Sequence, residues 1–166
     1  GDLELSYHVW LPISNFISEN TFFTEPTPTT TVTSPGNSTI PMTVTAYDIT
    51  NNSLFINASR GFSRTGIINP NFAAPGVNLI GPSPNNGFTT MSGTSIAAAH
   101  TAGIAALLLE WGINLGNFPT LSSVEIRNML IRGAVRDPNN VYPNTDWGYG
   151  IINVYNTFIN IRGDLS

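Results

Sequence analysis

The chain has 166 residues, room for one ordinary domain and not comfortably for two. Apolar residues make up 41%, charged residues only 10%, and the formal net charge is −4. That balance excludes a disordered chain and gives no electrostatic grip on nucleic acid or anionic lipid. Cysteine is absent, so disulfides and thiolate metal sites are excluded. No unbroken apolar run reaches the roughly 18 residues needed to cross a bilayer; the longest, Ile104–Trp111, contains Glu110. So little charge leaves sparse polar surface, as in part of a larger protein.

Leu3, Leu5, Tyr7, Val9 and Leu11 alternate with Asp2, Glu4, Ser6, His8 and Trp10, which predicts a strand over Leu3–Pro12. It opens without a leader. The sequence therefore reads as a piece of a longer chain, with Gly1 a cloning remnant. The N-terminal third is β-rich in character: Pro26-Thr27-Pro28, the β-branched run Thr29–Thr33, and a turn at Ser34–Asn37. Met42–Tyr47 reads as a buried strand, Asn51–Ser53 as a hairpin turn and Leu54–Ile56 as the returning strand. Ala73–Ile80 reads as a loop entering a short strand, followed by a turn at Ser83–Gly87.

Gly93-Thr94-Ser95 then opens a run of small and apolar residues, Ile96–Trp111, which predicts a helix of about four turns. It is apolar on nearly every face until Glu110, so it is expected in the centre of the domain, ending at Gly112. Ser122 followed by Glu125 forms a capping box for a second helix from Leu121, which Gly133 ends. Asp137–Thr145 is a polar loop, Trp147–Gly150 a turn, and Ile151–Ile161 a last helix.

Gly93-Thr94-Ser95-Ile96-Ala97-Ala98-Ala99-His100-Thr101-Ala102-Gly103 resembles the nucleophile motif of the subtilisin family, with Ala99 where most members carry proline. An early helical position accepts either residue, because proline there removes an N–H that has no helical partner. Three further segments match in order: Gly61-Phe62-Ser63-Arg64-Thr65-Gly66, Phe72-Ala73-Ala74-Pro75-Gly76-Val77, and Trp147-Gly148-Tyr149-Gly150-Ile151-Ile152-Asn153-Val154. The resemblance covers about Pro35 to Phe158. Trp10–Ile13, Phe22–Pro26 and Thr30–Gly36 are also similar to the Csp-like subtilases of clostridia, which carry a jelly-roll insertion in the catalytic domain.

The resemblance implies an α/β chain, the C-terminal portion of a subtilisin-like three-layer fold. Its sheet would be mainly parallel, and its buried central helix would start at the nucleophile. Residues 1–34 would end the jelly-roll insertion, and residues 35–166 would belong to the catalytic domain. It implies a serine endopeptidase acting through an acyl-enzyme on Ser95, whose backbone N–H also serves as an oxyanion donor. Losing one such donor typically costs about 10²–10³ in rate. A serine hydroxyl needs a base to take its proton and an acid to orient that base. In this family both precede the serine, as does the oxyanion asparagine, so all three are expected upstream of Gly1. The chain by itself is then expected to be inactive.

Neither histidine fits the missing role. His100, five residues past Ser95 on the same helix, matches the family's second-turn histidine and reads as packed structure; His8 has no partner motif. Asp48, Asp137 and Asp146 read as turn and cap carboxylates. Outside the family reading, Ser95 is a helix cap, a task that Thr94 could also perform. Gly93 would let backbone run close to substrate, and Gly103 would let another element pack on the helix. Trp147 and Tyr149 read as wall residues. No cofactor is called for, and no carboxylate cluster has metal-ligand spacing. The implied partners are a protein or peptide substrate and the remainder of the catalytic domain, with neither nucleic acid nor membrane. The implied location is extracellular or on the bacterial spore. Two other readings compete: a catalytically dead pseudoprotease that binds or signals, and a β-rich adhesion module.

Overall fold

The structure is a computed structural model that describes residues 7–12 and 14–164. A 3-10 turn at Ser14–Phe16 precedes five strands: β1 (Val44–Asp48), β2 (Ser53–Leu54), β3 (Phe72–Pro75), β4 (Leu79–Ser83) and β5 (Gly87–Met91). Three helices follow: α1 (Thr94–Leu109), which continues as a π-turn over Glu110–Asn114, α2 (Ser123–Gly133) and α3 (Val154–Asp164).

β1 carries residues that fit a pleated, buried surface. It folds back through a tight turn onto β2, pairing Tyr47 with Leu54 and Asp48 with Ser53. The Asp48 carboxylate fixes that turn by accepting from the Thr50 N–H (2.8 Å) and hydroxyl (2.7 Å). On its other side β1 runs parallel to β3, Val44 opposite Phe72 through Tyr47 opposite Pro75. Ile151 extends this layer with a parallel bridge to Ala73 and an antiparallel bridge to Val135. β4 and β5 form a separate antiparallel hairpin. The connecting loop is Pro84–Asn86, in which Asn85 and Asn86 take positive φ of 63° and 57°, a region Asn tolerates better than most residues.

The core lies between α1 and the β1–β3 layer and continues under α2 and α3. Ala46, Phe72, Ala74, Ala97, Leu108 and Leu130 are fully buried in it. α2 and α3 cross at Gly133, where a Cβ would lie 2.7 Å from the Thr157 Cα. The Ser122–Glu125 capping box forms as expected, with the Ser122 N–H donating to the Glu125 carboxylate at 2.6 Å. Asn153 caps α3 by accepting from the Asn156 N–H at 2.8 Å.

Several expectations are corrected. Leu3–Ser6 lie outside the described residues, and Tyr7–Pro12 carry no strand ladder, although their residues alternate. Ala73–Pro75 is strand rather than loop, because its main chain pairs with β1. The sheet has parallel pairing over four residue pairs between β1 and β3 and an antiparallel edge of two pairs between β1 and β2. α1 begins at Thr94, and the helical path runs through Gly112 to Asn114 before Gly116 turns it with φ 73°. Gly112 serves packing instead, since a Cβ there would meet the Leu121 side chain at 2.6 Å. The last helix starts at Val154, because Ile151 is held in backbone pairing.

The largest departure concerns the burial of α1. Ala97, Thr101 and Leu108 are buried, but Ala98, Ala99, Ala102 and Ala106 are exposed, with Leu107 at 55% and Leu109 at 40%. The described residues cover one side of this helix only. The helical stretch Thr94–Asn114 is also long and apolar enough, at 21 residues, to cross a membrane by length and composition. His100, Thr101 and Glu110 interrupt it, so it holds no unbroken apolar run of that length.

Candidate active site

Ser95 stands exposed in the first turn of α1. The N-cap is Gly93, not Thr94, and no side chain caps the helix. Gly93 has φ 155° and ψ 160°, a backbone region that is essentially glycine-only. Its carbonyl accepts the first helical bonds, from Ile96 N–H (3.1 Å) and Ala97 N–H (3.4 Å). The N–H groups of Thr94 and Ser95 therefore precede the helical ladder, at the positive end of the helix dipole.

Two bonds hold this turn against the segment that leaves β3, and a third ties that segment to β1. The Gly93 N–H donates to the Gly76 carbonyl at 2.7 Å, and the Gly76 N–H donates to the Tyr47 carbonyl at 3.1 Å. The Ser92 hydroxyl accepts from the Asn78 N–H at 2.8 Å. The contact is close enough to demand glycine at position 76. A Cβ there would lie 2.6 Å from the Ala46 Cβ and 2.8 Å from the Gly93 carbonyl oxygen. A cavity of about 190 Å³ opens beside Thr94, between the 32–36 loop and β1, with Thr43, Thr45, Ser59 and Pro70 in its wall. A larger apolar cavity of about 330 Å³, walled by Trp111, Phe118 and Met129, lies at the other end of α1. At 1.5 Å per residue it is about 24 Å from Ser95, so it is not part of this site.

The histidines lie elsewhere. Five helical residues turn the side chain of His100 about 140° away from that of Ser95. His100 is exposed rather than packed, and its Nδ1 sits 3.0 Å from the Pro75 carbonyl. His8 stacks on Trp10, with ring centroids 5.7 Å apart. Among the described residues no hydrogen bond joins the Ser95 hydroxyl to a histidine or a carboxylate. Asp48 and Asp137 hold turns, Asp137 by accepting from the Asn139 N–H at 2.8 Å. Asp146 pairs with Arg60 at 2.6 Å, an ion pair that sequence reasoning missed because the partners are far apart in the chain. Trp147 packs against Tyr47 with ring centroids 6.0 Å apart, and Tyr149 lies against the core, both as wall residues. A Cβ on Gly103 would meet nothing within 4 Å, so no described element packs there. Among the described residues no group of three or more His, Cys, Asp or Glu could hold a metal ion.

A parallel strand pair, an antiparallel hairpin and an exposed serine opening a long apolar helix define an α/β chain of subtilisin-like fold. The chain belongs to the subtilase family, whose model matches residues 19–150. It is 40% identical over 81 residues to subtilisin DY of Bacillus licheniformis, covering 49% of this chain and 26% of that protein. It is 34% identical over 151 residues to serine protease AprX of Bacillus subtilis, covering 76% of this chain and 31% of that protein. The solved CspB protease of Clostridium perfringens superposes with a TM-score of 0.82 at 37% identity, over 87% of this chain and 32% of that one. The chain thus spans less than a third of the length of each of these relatives. The likeness to CspB agrees with the Csp-like resemblance of residues 10–36.

Proposed function

We propose that this chain supplies the nucleophile, Ser95, of a serine endopeptidase whose general base, orienting acid and oxyanion asparagine come from polypeptide outside it. The observation that carries this reading is the placement of Ser95. It is exposed at a helix start, beside N–H groups that the helix does not use, on a turn tied to the adjoining β-layer. The hydroxyl would attack the scissile carbonyl as the base takes its proton. The Ser95 N–H would then donate to the developing oxyanion. Membership of the subtilase family supports a protein or peptide as substrate. Residues 35–166 would form the C-terminal part of the catalytic domain, and residues 1–34 the connection from an inserted module. An extracellular or spore-associated location belongs to the same proposal.

The test is to treat the full-length protein with a fluorophosphonate and map the label by peptide mass spectrometry. Stable labelling needs an activated serine. Label on Ser95, lost in Ser95→Ala, is the expected result. A folded but unlabelled protein would overturn the reading and leave a subtilase-fold pseudoprotease.

A further inference from the structure

We propose that the Ser92 hydroxyl is a positioning group for Ser95, holding the start of α1 in register with the segment that leaves β3. The proposal rests on the reading of Ser95 as nucleophile. In the β4–β5 hairpin the last paired residues are Leu79 and Met91. The next pair in that register would be Asn78 and Ser92, and there the ladder stops. Asn78 has φ 53°, outside extended backbone, and its N–H donates to the Ser92 Oγ at 2.8 Å. The hydroxyl thus takes the place of a main-chain acceptor. One residue on, the Gly93 N–H donates to the Gly76 carbonyl at 2.7 Å.

Ser92 therefore links the base of the β4–β5 hairpin to the most permissive residue of the site. Gly93 has no side chain to restrict its backbone, so its path is set by what holds it on either side. The Gly76 carbonyl holds its N–H, and the Asn78 N–H holds the hydroxyl of Ser92, the residue before it. Removing the hydroxyl frees the Asn78 N–H and lets the hairpin base pivot, which displaces the N–H groups of Thr94 and Ser95. A misplacement of about 1 Å at a reacting centre can cost ~10²-fold in rate. Ser92 is exposed, so losing the bond should disturb the fold far less than the rate.

The experiment compares Ser92→Ala and Ser92→Thr with the parent in the full-length protein. It measures fluorophosphonate labelling of Ser95, resolved into probe binding and inactivation rate, together with the urea midpoint. Ser92→Ala is expected to slow the inactivation step about tenfold or more, with probe binding and midpoint unchanged. Ser92→Thr, which keeps the oxygen, is expected to label as the parent does. Labelling of Ser92→Ala at the parental rate would overturn the proposal. So would an equal loss in Ser92→Thr, or a loss that follows the midpoint. A parent that takes no label would instead remove the nucleophile reading, and this inference with it.

Discussion

Gly76 fixes how near α1 can approach β1. Its missing Cβ leaves space that the Ala46 Cβ, the Gly93 carbonyl and the Ala97 Cβ fill, the last at 3.2 Å from where a Cβ would stand. All three neighbours are backbone or Cβ atoms that cannot swing aside, so Gly76→Ala must push the helix start away from the sheet. Overpacking of this kind costs about 1–3 kcal/mol. The urea midpoint should fall accordingly, and labelling of Ser95 should fall with it, in contrast to the Ser92 variants. Asp48 offers a charge-based test. The Thr50 hydroxyl and N–H hold its carboxyl below the ordinary aspartate range, the hydroxyl being the larger cause. A depressed carboxyl contributes stability above its unfolded-state pKa, and that stability fades as pH falls through the folded value. Thr50→Val removes the hydroxyl bond and keeps the N–H bond. The Asp48 titration, followed by NMR, should therefore move up toward the ordinary value.

At the scale of elements, α2 is the helix whose start the residues specify most fully. Ser122 and Glu125 satisfy each other's backbone N–H groups, so Ser122→Ala should cost about 1 kcal/mol, read as a shift in the unfolding midpoint. Such a cap is legible in sequence because both partners lie within four residues. The hairpin of β1 and β2 was legible for the same reason, with Asn52 taking the positive φ (56°) that the turn needs, although the returning strand is Ser53–Leu54 rather than Leu54–Ile56. β3 was not. Phe72-Ala73-Ala74-Pro75 shows no alternation, and it becomes a strand through β1, some 28 residues earlier, as Val44 pairs with Phe72. Tyr7–Pro12 fails in the opposite sense: it alternates, but no described neighbour pairs with it. At the site, Gly93-Thr94-Ser95 announced the helix start through its motif. The cap on Gly93 and the Ser92 bond to Asn78 depend on a backbone turn that residue types alone do not reveal.

For the whole molecule, the exposed side of α1 was the feature least legible in the sequence. An all-apolar helix predicts burial, but not which chain provides the cover. Ala98, Ala102, Ala106, Leu107 and Leu109 present a face that the described residues leave open. The 166-residue chain expressed by itself should therefore self-associate in sedimentation, and Leu107→Glu should reduce that association. It should also turn over no peptide p-nitroanilide, because the described residues bring no base to Ser95. The C-terminal segment, by contrast, is bound in at many points. Arg60 holds Asp146, the Gly61 N–H donates to the Thr145 carbonyl at 2.9 Å, and the Tyr149 N–H donates to the Asn71 carbonyl at 2.8 Å. Ile151 bridges Ala73 and Val135, and α3 lies along α2. Between these anchors and α2 runs 137–141, a loop exposed at every residue and open to proteolytic nicking. A single cut there would sever the chain without releasing either piece: the two would travel as one species through a native column and part only in denaturant.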